Sequence, residues 1–276
     1  MSITTPARDR GGLTLFWVVT FATTWTFWLI AIGLGGTPTS SPTAIPYVLG
    51  GFGPVFGAIA VRIRRRRRGE AVPVHAVKAR PFWVLPLLVL ASATVVVAAV
   101  VADVLGGPAV SLDGGLELVA KVGGPVGFFV SMLIGGPLAE EPGWRGTAYP
   151  RLRASMGRLQ AGLLLGVVWA VWHLPLFFIA GTVQSRFGLF GWSGLLFSLT
   201  VIPMALLTGC AYEREGVPAA VAVHLGVNAT MALLSVDSPI TQVAILVVQV
   251  VVVGLLLAGW RDRAVRVDRL SEPARR

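Results

Sequence analysis

Eight apolar stretches, each about as long as a lipid bilayer is thick, constrain the folding of this 276-residue chain more than any other feature. A helix that crosses the hydrocarbon core needs roughly 17–25 residues, and lipid offers open backbone groups no hydrogen-bond partners, so each stretch must be helical. The sequence therefore predicts an all-α protein, a polytopic membrane bundle of about eight transmembrane helices in a single domain over residues 1–276. The predicted spans are 13–34, 44–61, 82–102, 122–139, 161–180, 192–211, 217–234 and 239–260.

The composition agrees with a membrane protein. Only 13% of the residues are charged and 55% are hydrophobic, whereas a soluble domain carries about 25% charged residues. Cys210 is the single cysteine, which excludes a disulfide scaffold and a cysteine-rich zinc site. The net charge of +10 would indicate a nucleic-acid partner in a soluble protein. Here membrane topology accounts for it, so we expect the bilayer and no nucleic acid as a partner.

Lys and Arg are unevenly distributed between the two sides of the predicted bundle. With the N-terminus inside and the connections alternating, all but Lys121 and Arg186 of the 23 basic residues lie on one side. Positive residues collect on the cytoplasmic side of membrane proteins. We therefore predict that both termini, the segment 62–80 and the basic tail 262–276 are cytoplasmic. The preference for Arg over Lys and for Ala and Val indicates a GC-rich bacterium, and hence a bacterial plasma membrane.

Polar side chains within or beside the spans indicate a functional site. His173 lies in the fifth predicted span, His224 and Asn228 share one face of the seventh, and Glu140 and Glu141 follow the fourth. Ionisable groups at membrane depth are costly, face the protein interior or a wet cavity, and mark function by default. The alternative is that each group has only a structural role and forms a hydrogen bond between two helices.

Three short motifs carry a family resemblance. EEPGWRG (140–146), WAVWHLP (169–175) and HLGVN (224–228) resemble, in order, the EExxxR, FxxxH and HxxxN motifs of the CAAX prenyl protease 2 family of intramembrane proteases and their bacteriocin-processing relatives (the CPBP or ABI family). The second motif departs from the family pattern, because Trp169 stands where Phe is usual. Both residues are bulky aromatics, so we expect the exchange to matter little.

The resemblance implies a peptidase that hydrolyses a membrane-associated or lipidated peptide. By resemblance, Glu140 and His224 activate a water molecule, while His173 and Asn228 stabilise the oxyanion. An asparagine suits that role chemically, because its amide donates hydrogen bonds without titrating. A different class also remains open, a non-catalytic immunity or regulatory protein that binds a substrate helix without cutting it.

The two neighbouring acids must differ in role, because adjacent residues on a helix diverge by about 100°. Glu141 stands four residues before Arg145, the favoured order for an i,i+4 ion pair. We therefore assign Glu141 to orienting Arg145, and Glu140 to catalysis.

A metal is the second open alternative. Glu140, His173 and His224 have the types and number of a catalytic zinc site, but each comes from a different span and no HExxH pair is present. The sequence therefore leaves a zinc cofactor and a metal-free glutamate–histidine centre both possible, and slightly favours the second.

The predicted spans place these groups at unequal depths. Glu140 lies at the predicted cytoplasmic boundary, whereas His173 lies about 18 Å inside its span at 1.5 Å per residue. For them to meet, the segment 139–158 must dip inward or the fifth helix must begin outside the membrane. Either arrangement predicts a wet cavity that opens to the cytosolic side.

Overall fold

The computed structural model describes residues 10–71, 73, 75–79 and 82–259, so the predicted tail 262–276 lies outside the described residues. Within them the protein is all-helical and contains no strand, as predicted. The helices are α1 (Arg10–Leu34), α2 (Ala44–Gly51), α3 (Gly53–Arg68), α4 (Val84–Val104), α5 (Asp113–Lys121), α6 (Gly124–Ile134), α7 (Pro137–Gly143), α8 (Tyr149–Arg153), α9 (Arg158–Trp172), α10 (Val183–Phe187), α11 (Trp192–Glu215), α12 (Val217–Leu233) and α13 (Pro239–Gly259). A π-helical turn covers Trp144–Ala148 and a 3₁₀ turn covers Leu174–Phe178.

Five of the described helical segments are long and apolar enough to cross a membrane, and two bent pairs raise the number to seven. The bent pairs are α2 with α3, and α5 with the segment Gly124–Arg153. The remaining predicted span forms α12, an apolar helix of 17 residues that is about 26 Å long. Large apolar side chains cover the outer surface, for example Val126 and Leu255, which are 76% and 69% exposed. Such a surface is stable against lipid rather than water.

Small residues let the helices approach closely. Gly53 and Gly57 face α1, where a Cβ on either would collide with the side chains of Thr24 and Thr20. The Thr24 hydroxyl donates to the carbonyl of Gly50 at 2.8 Å. Close packing of this kind holds membrane helices together where lipid supplies no hydrophobic driving force.

One end of the bundle, which we call the basic end, gathers the start of α1, the C-terminal end of α3, the described residues of the loop after α3, the end of α8, the start of α9 and the end of α11. The backbone N–H of Val77 donates to the hydroxyl of Tyr212 at 3.1 Å, and Arg153 and Arg158 pair with Glu213 at 2.7 Å and 2.6 Å. The described Lys and Arg residues of this end are Arg10, Arg62, Arg64, Arg65, Arg66, Arg67, Arg68, Lys78, Arg151, Arg153, Arg158 and Arg214.

The opposite end, which we call the far end, gathers loop 35–43, the α4–α5 connection, α10 and loop 234–238. Gly181 lies against Thr37 and Pro38, and Arg186 approaches Asp237 at 3.5 Å. The described charged residues of this end are Asp103, Asp113, Glu117, Lys121, Arg186 and Asp237.

The predicted end of the fourth span at residue 139 is wrong. After a turn of 88° at Gly123 and Gly124, the chain runs through α6, α7, the π-helical turn and α8 as far as Arg153. The hydropathy falls after residue 139 because the helix passes through the protein interior, where polar residues are buried by their neighbours rather than by lipid. This course removes the predicted depth mismatch, because Glu140 now lies midway along the segment.

Candidate active site

Three elements bring the predicted polar residues to one cavity. Glu140 lies on α7, His173 follows the last residue of α9, and His224 and Asn228 lie one turn apart on α12. All four line a cavity of about 640 Å³ inside the bundle. The other predicted site residues, Glu141 and Arg145, are fully buried behind its wall and are absent from its described lining.

The cavity contains a point on which three of these side chains converge. A Cβ built on Gly136, just before α7, would lie 3.6 Å from Oε1 of Glu140 and 3.7 Å from both Nδ2 of Asn228 and Nε2 of His224. Because Gly136 has no side chain, that space is open to another group. A carboxylate oxygen, an amide donor and an imidazole nitrogen thus surround one small volume, which suits a reacting water and carbonyl group.

Two tryptophans fix the carboxylate of Glu140. Its Oε2 atom accepts a hydrogen bond from Nε1 of Trp169 at 2.6 Å and a longer one from Nε1 of Trp144 at 3.4 Å. The bonds hold one oxygen in the wall, while Oε1 faces the point beside Gly136. Trp169 therefore makes a contact that the usual phenylalanine could not make, because phenylalanine has no N–H to donate. Sequence reasoning missed this contact.

Glu141 orients His224 as well as Arg145. Its Oε1 atom lies 2.8 Å from Nδ1 of His224 and 3.1 Å from Nη1 of Arg145, so the predicted i,i+4 pair is present and has a third member. A carboxylate accepts hydrogen bonds, so Nδ1 carries the proton and Nε2 is directed to the cavity. The guanidinium of Arg145 also lies over the ring of Trp169, 4.3 Å from its centroid, which is the geometry of a cation–π contact.

His173 is held by its own helix. Its Nδ1 atom lies 2.8 Å from the carbonyl oxygen of Trp169, so the proton sits on Nδ1 and the neutral ring offers an acceptor at Nε2. As a donor to an oxyanion, His173 must therefore carry a second proton. Asn228 needs no such change, because its amide always donates.

The residues do not fit the zinc alternative. No group of three or more His, Cys, Asp and Glu side chains in the described chain is arranged to hold a metal ion. Glu140, His173 and His224, the three predicted ligands, line the same cavity but do not form such a group.

Comparisons with known proteins agree with the motifs. Residues 122–230, which include every predicted site residue, match the family model described as type II CAAX prenyl endopeptidase, Rce1-like. The chain is also 25% identical to CAAX prenyl protease 2 of Methanococcus maripaludis over 245 residues, which cover 84% of this chain and 89% of the relative. All three motifs line or support one cavity inside the bundle, and over residues 122–230 the chain is similar to the Rce1-like CAAX prenyl endopeptidase family.

Proposed function

We propose that this protein is an intramembrane endopeptidase that hydrolyses a peptide bond of a membrane-embedded or lipidated substrate with a water activated by glutamate and histidine. The observation that carries the proposal is the convergence of Glu140, His224 and Asn228 on the space beside Gly136. The match of residues 122–230 to the CAAX prenyl endopeptidase family model supports the reaction class.

In the proposed mechanism, water binds beside Gly136 and Oε1 of Glu140 accepts its proton as the oxygen attacks the substrate carbonyl. Nε2 of His224, fixed by Glu141, holds the water in place. The carbonyl oxygen becomes an oxyanion that accepts a hydrogen bond from Nδ2 of Asn228. Glu140 then returns the proton to the leaving nitrogen as the C–N bond breaks. General acid–base transfer and an oxyanion donor each contribute roughly a hundred-fold or more to such reactions.

The shape of the cavity favours a substrate that arrives from the membrane. Part of its wall consists of Val48 on α2 and of Val130 and Ile134 on α6. These side chains are 49%, 43% and 42% exposed. The apolar side chains of α2 and α6 thus give the cavity a wall that an apolar segment from the lipid can contact.

We further propose that the protein lies in a bacterial plasma membrane with its basic end, and hence both termini, in the cytoplasm. The described Lys and Arg residues gather at that end, as the positive-inside rule requires.

The test is Glu140→Gln. The amide keeps the shape of the carboxylate but accepts no proton, so cleavage should fall at least about a hundred-fold while the protein remains folded. N-terminal peptide proteomics of membranes from cells that express wild type or Glu140→Gln will identify substrates as the fragments that only wild type makes. Identical fragments from the two would overturn the peptidase assignment and favour the non-catalytic immunity or regulatory protein.

A further inference from the structure

We infer that Gln249, on α13, holds the substrate by donating a hydrogen bond from its side-chain amide to a main-chain carbonyl that is not the one cleaved. The identity of this ligand rests on the proposed function, whereas the place of the contact rests on the depth, burial and surroundings of Gln249. The residue lies outside the three motifs and outside residues 122–230, which match the family model. The contact extends the site from α7, α9 and α12 to α13.

Gln249 lies at the centre of a membrane-spanning helix. Ten residues, or about 15 Å, separate it from Pro239 at one end of α13 and from Gly259 at the other. Since the hydrocarbon core of a bilayer is about 30 Å thick, the side chain lies near the middle of the membrane. Polar residues at this depth are costly and mark functional positions.

The amide of Gln249 is buried without a partner inside the protein. The residue is 1% exposed, and no described group accepts a hydrogen bond from its Nε2 atom. A buried amide without a hydrogen bond lowers the stability of the folded protein. A ligand that accepts this hydrogen bond offsets that cost and is held at a defined place.

The side chain of Gln249 belongs to the wall of the catalytic cavity. The described wall residues of α11 and α13 are Phe197, Thr200, Val201, Met204, Ile245 and Gln249. Four of them are apolar, and the hydroxyl of Thr200 donates to the carbonyl of Phe197 at 2.8 Å. Among these residues, only Gln249 therefore has a hydrogen-bond donor that is not already used. Because Glu140 and Asn228 line the same cavity, a peptide of several residues bound at the catalytic groups also contacts this part of the wall.

The chemistry of this wall identifies the ligand as a peptide main chain. The apolar neighbours of Gln249 suit apolar side chains, but every peptide also brings N–H and carbonyl groups that need partners in such surroundings. A glutamine amide donates to a carbonyl, whatever side chain the substrate carries at that position. A hydrocarbon chain, such as the lipid part of a lipidated substrate, offers no acceptor and would leave Nε2 unpaired.

Gln249→Met tests the contact, because methionine is similar in length and has no amide. Gln242→Met is the matched control, since Gln242 lies in the first turn of α13, is also buried without a partner, and is absent from the described cavity wall. Removing an unpartnered buried amide should leave the melting temperature of Gln249→Met equal to or above that of wild type.

Cleavage should respond in the opposite direction. On a peptide that spans a cut site found by the proteomic comparison, Gln249→Met should raise KM about 10-fold with a smaller change in kcat, because an uncharged hydrogen bond to the bound substrate is lost. Gln242→Met should cleave like wild type. A wild-type KM for Gln249→Met, or an equal rise in both variants, would overturn the inference and leave the proposed peptidase standing.

A thioamide scan of the same peptide identifies the acceptor. Each main-chain carbonyl except the cleaved one is replaced in turn by a thiocarbonyl, which accepts hydrogen bonds weakly. One replacement should raise KM for wild type and leave that of Gln249→Met unchanged. A scan with the same result for the two proteins would overturn the main-chain contact. An absence of fragments that wild type makes and Glu140→Gln does not would instead overturn the proposed peptidase, and with it the ligand named here.

Discussion

The hydrogen bond from Trp169 to Glu140 can be removed with little change of shape. Trp169→Phe keeps an aromatic ring at the position but deletes the N–H that reaches Oε2 at 2.6 Å. The remaining donor, Trp144, is more distant at 3.4 Å. A hydrogen bond to a charged group is worth about 1.5–3 kcal/mol. If that bond holds Oε1 at the reacting water, its loss should lower kcat/KM about 10- to 150-fold.

The assay is kcat/KM of the purified protein on a peptide that spans a cut site found by the proteomic comparison. Trp25→Phe is the matched control, because its indole donates to the carbonyl of Trp172 at 3.3 Å and not to a predicted site residue. We expect this control to cleave at close to the wild-type rate. The melting temperatures of both variants will show whether a loss of activity comes from weaker packing or from the site itself.

A wild-type kcat/KM for Trp169→Phe would refute the reasoning. It would mean that Glu140 is positioned without the indole. Trp169 would then act as a bulky aromatic, like the phenylalanine that is usual in this family motif.

Two further substitutions test the surroundings of the site. Glu141→Gln leaves the charge of Arg145 buried without its partner, so the protein should lose about 3–5 kcal/mol of stability and retain more cleavage than Glu140→Gln. The double variant Glu141→Gln/Arg145→Met should regain part of the melting temperature that Glu141→Gln loses. A Glu141→Gln variant as stable as wild type would contradict the expected loss of stability. Gly136→Ala puts a methyl group at ordinary contact distance from the three converging atoms, so cleavage should fall about a hundred-fold with an unchanged melting temperature. Gly254→Ala on α13, where a Cβ meets nothing within 4 Å, is its control, and equal cleavage by the two would place the water elsewhere.

Much of the fold could be predicted from the sequence, because lipid imposes a length and a hydropathy on every span. The fourth span is the exception, since the hydropathy of a segment measures its exposure to lipid and not its burial in protein. Glu140, Glu141 and Arg145 lower the average of a helix that is nonetheless inside the bundle. In the sequence, the only sign that this helix continues was the position of these polar residues directly after an apolar stretch.

The identities of the site residues could be predicted more readily than the contacts that orient them. The i,i+4 spacing predicted the pair of Glu141 and Arg145. The bond from Glu141 to His224 joins residues 83 positions apart and has no local signal. Gly136 was missed for a different reason, since its role is to leave space, and the sequence contains 33 glycines.

Glu141, Trp144 and Arg145 are all 0% exposed and form a packed layer between the cavity and the basic end, and this layer has an electrical consequence. Seven residues of α12 separate His224 from Val217, which is about 10 Å of helix. Because this layer is packed and the cavity is open, the membrane voltage falls more steeply across the layer than across the cavity, at about 2.3 kcal/mol per elementary charge for each 100 mV. Glu141 and Arg145 lie in the steep part of the field. Because their charges are opposite and 3.1 Å apart, the field exerts almost no net force on the pair, and the protein can hold an open cavity without weakening the membrane as an insulator.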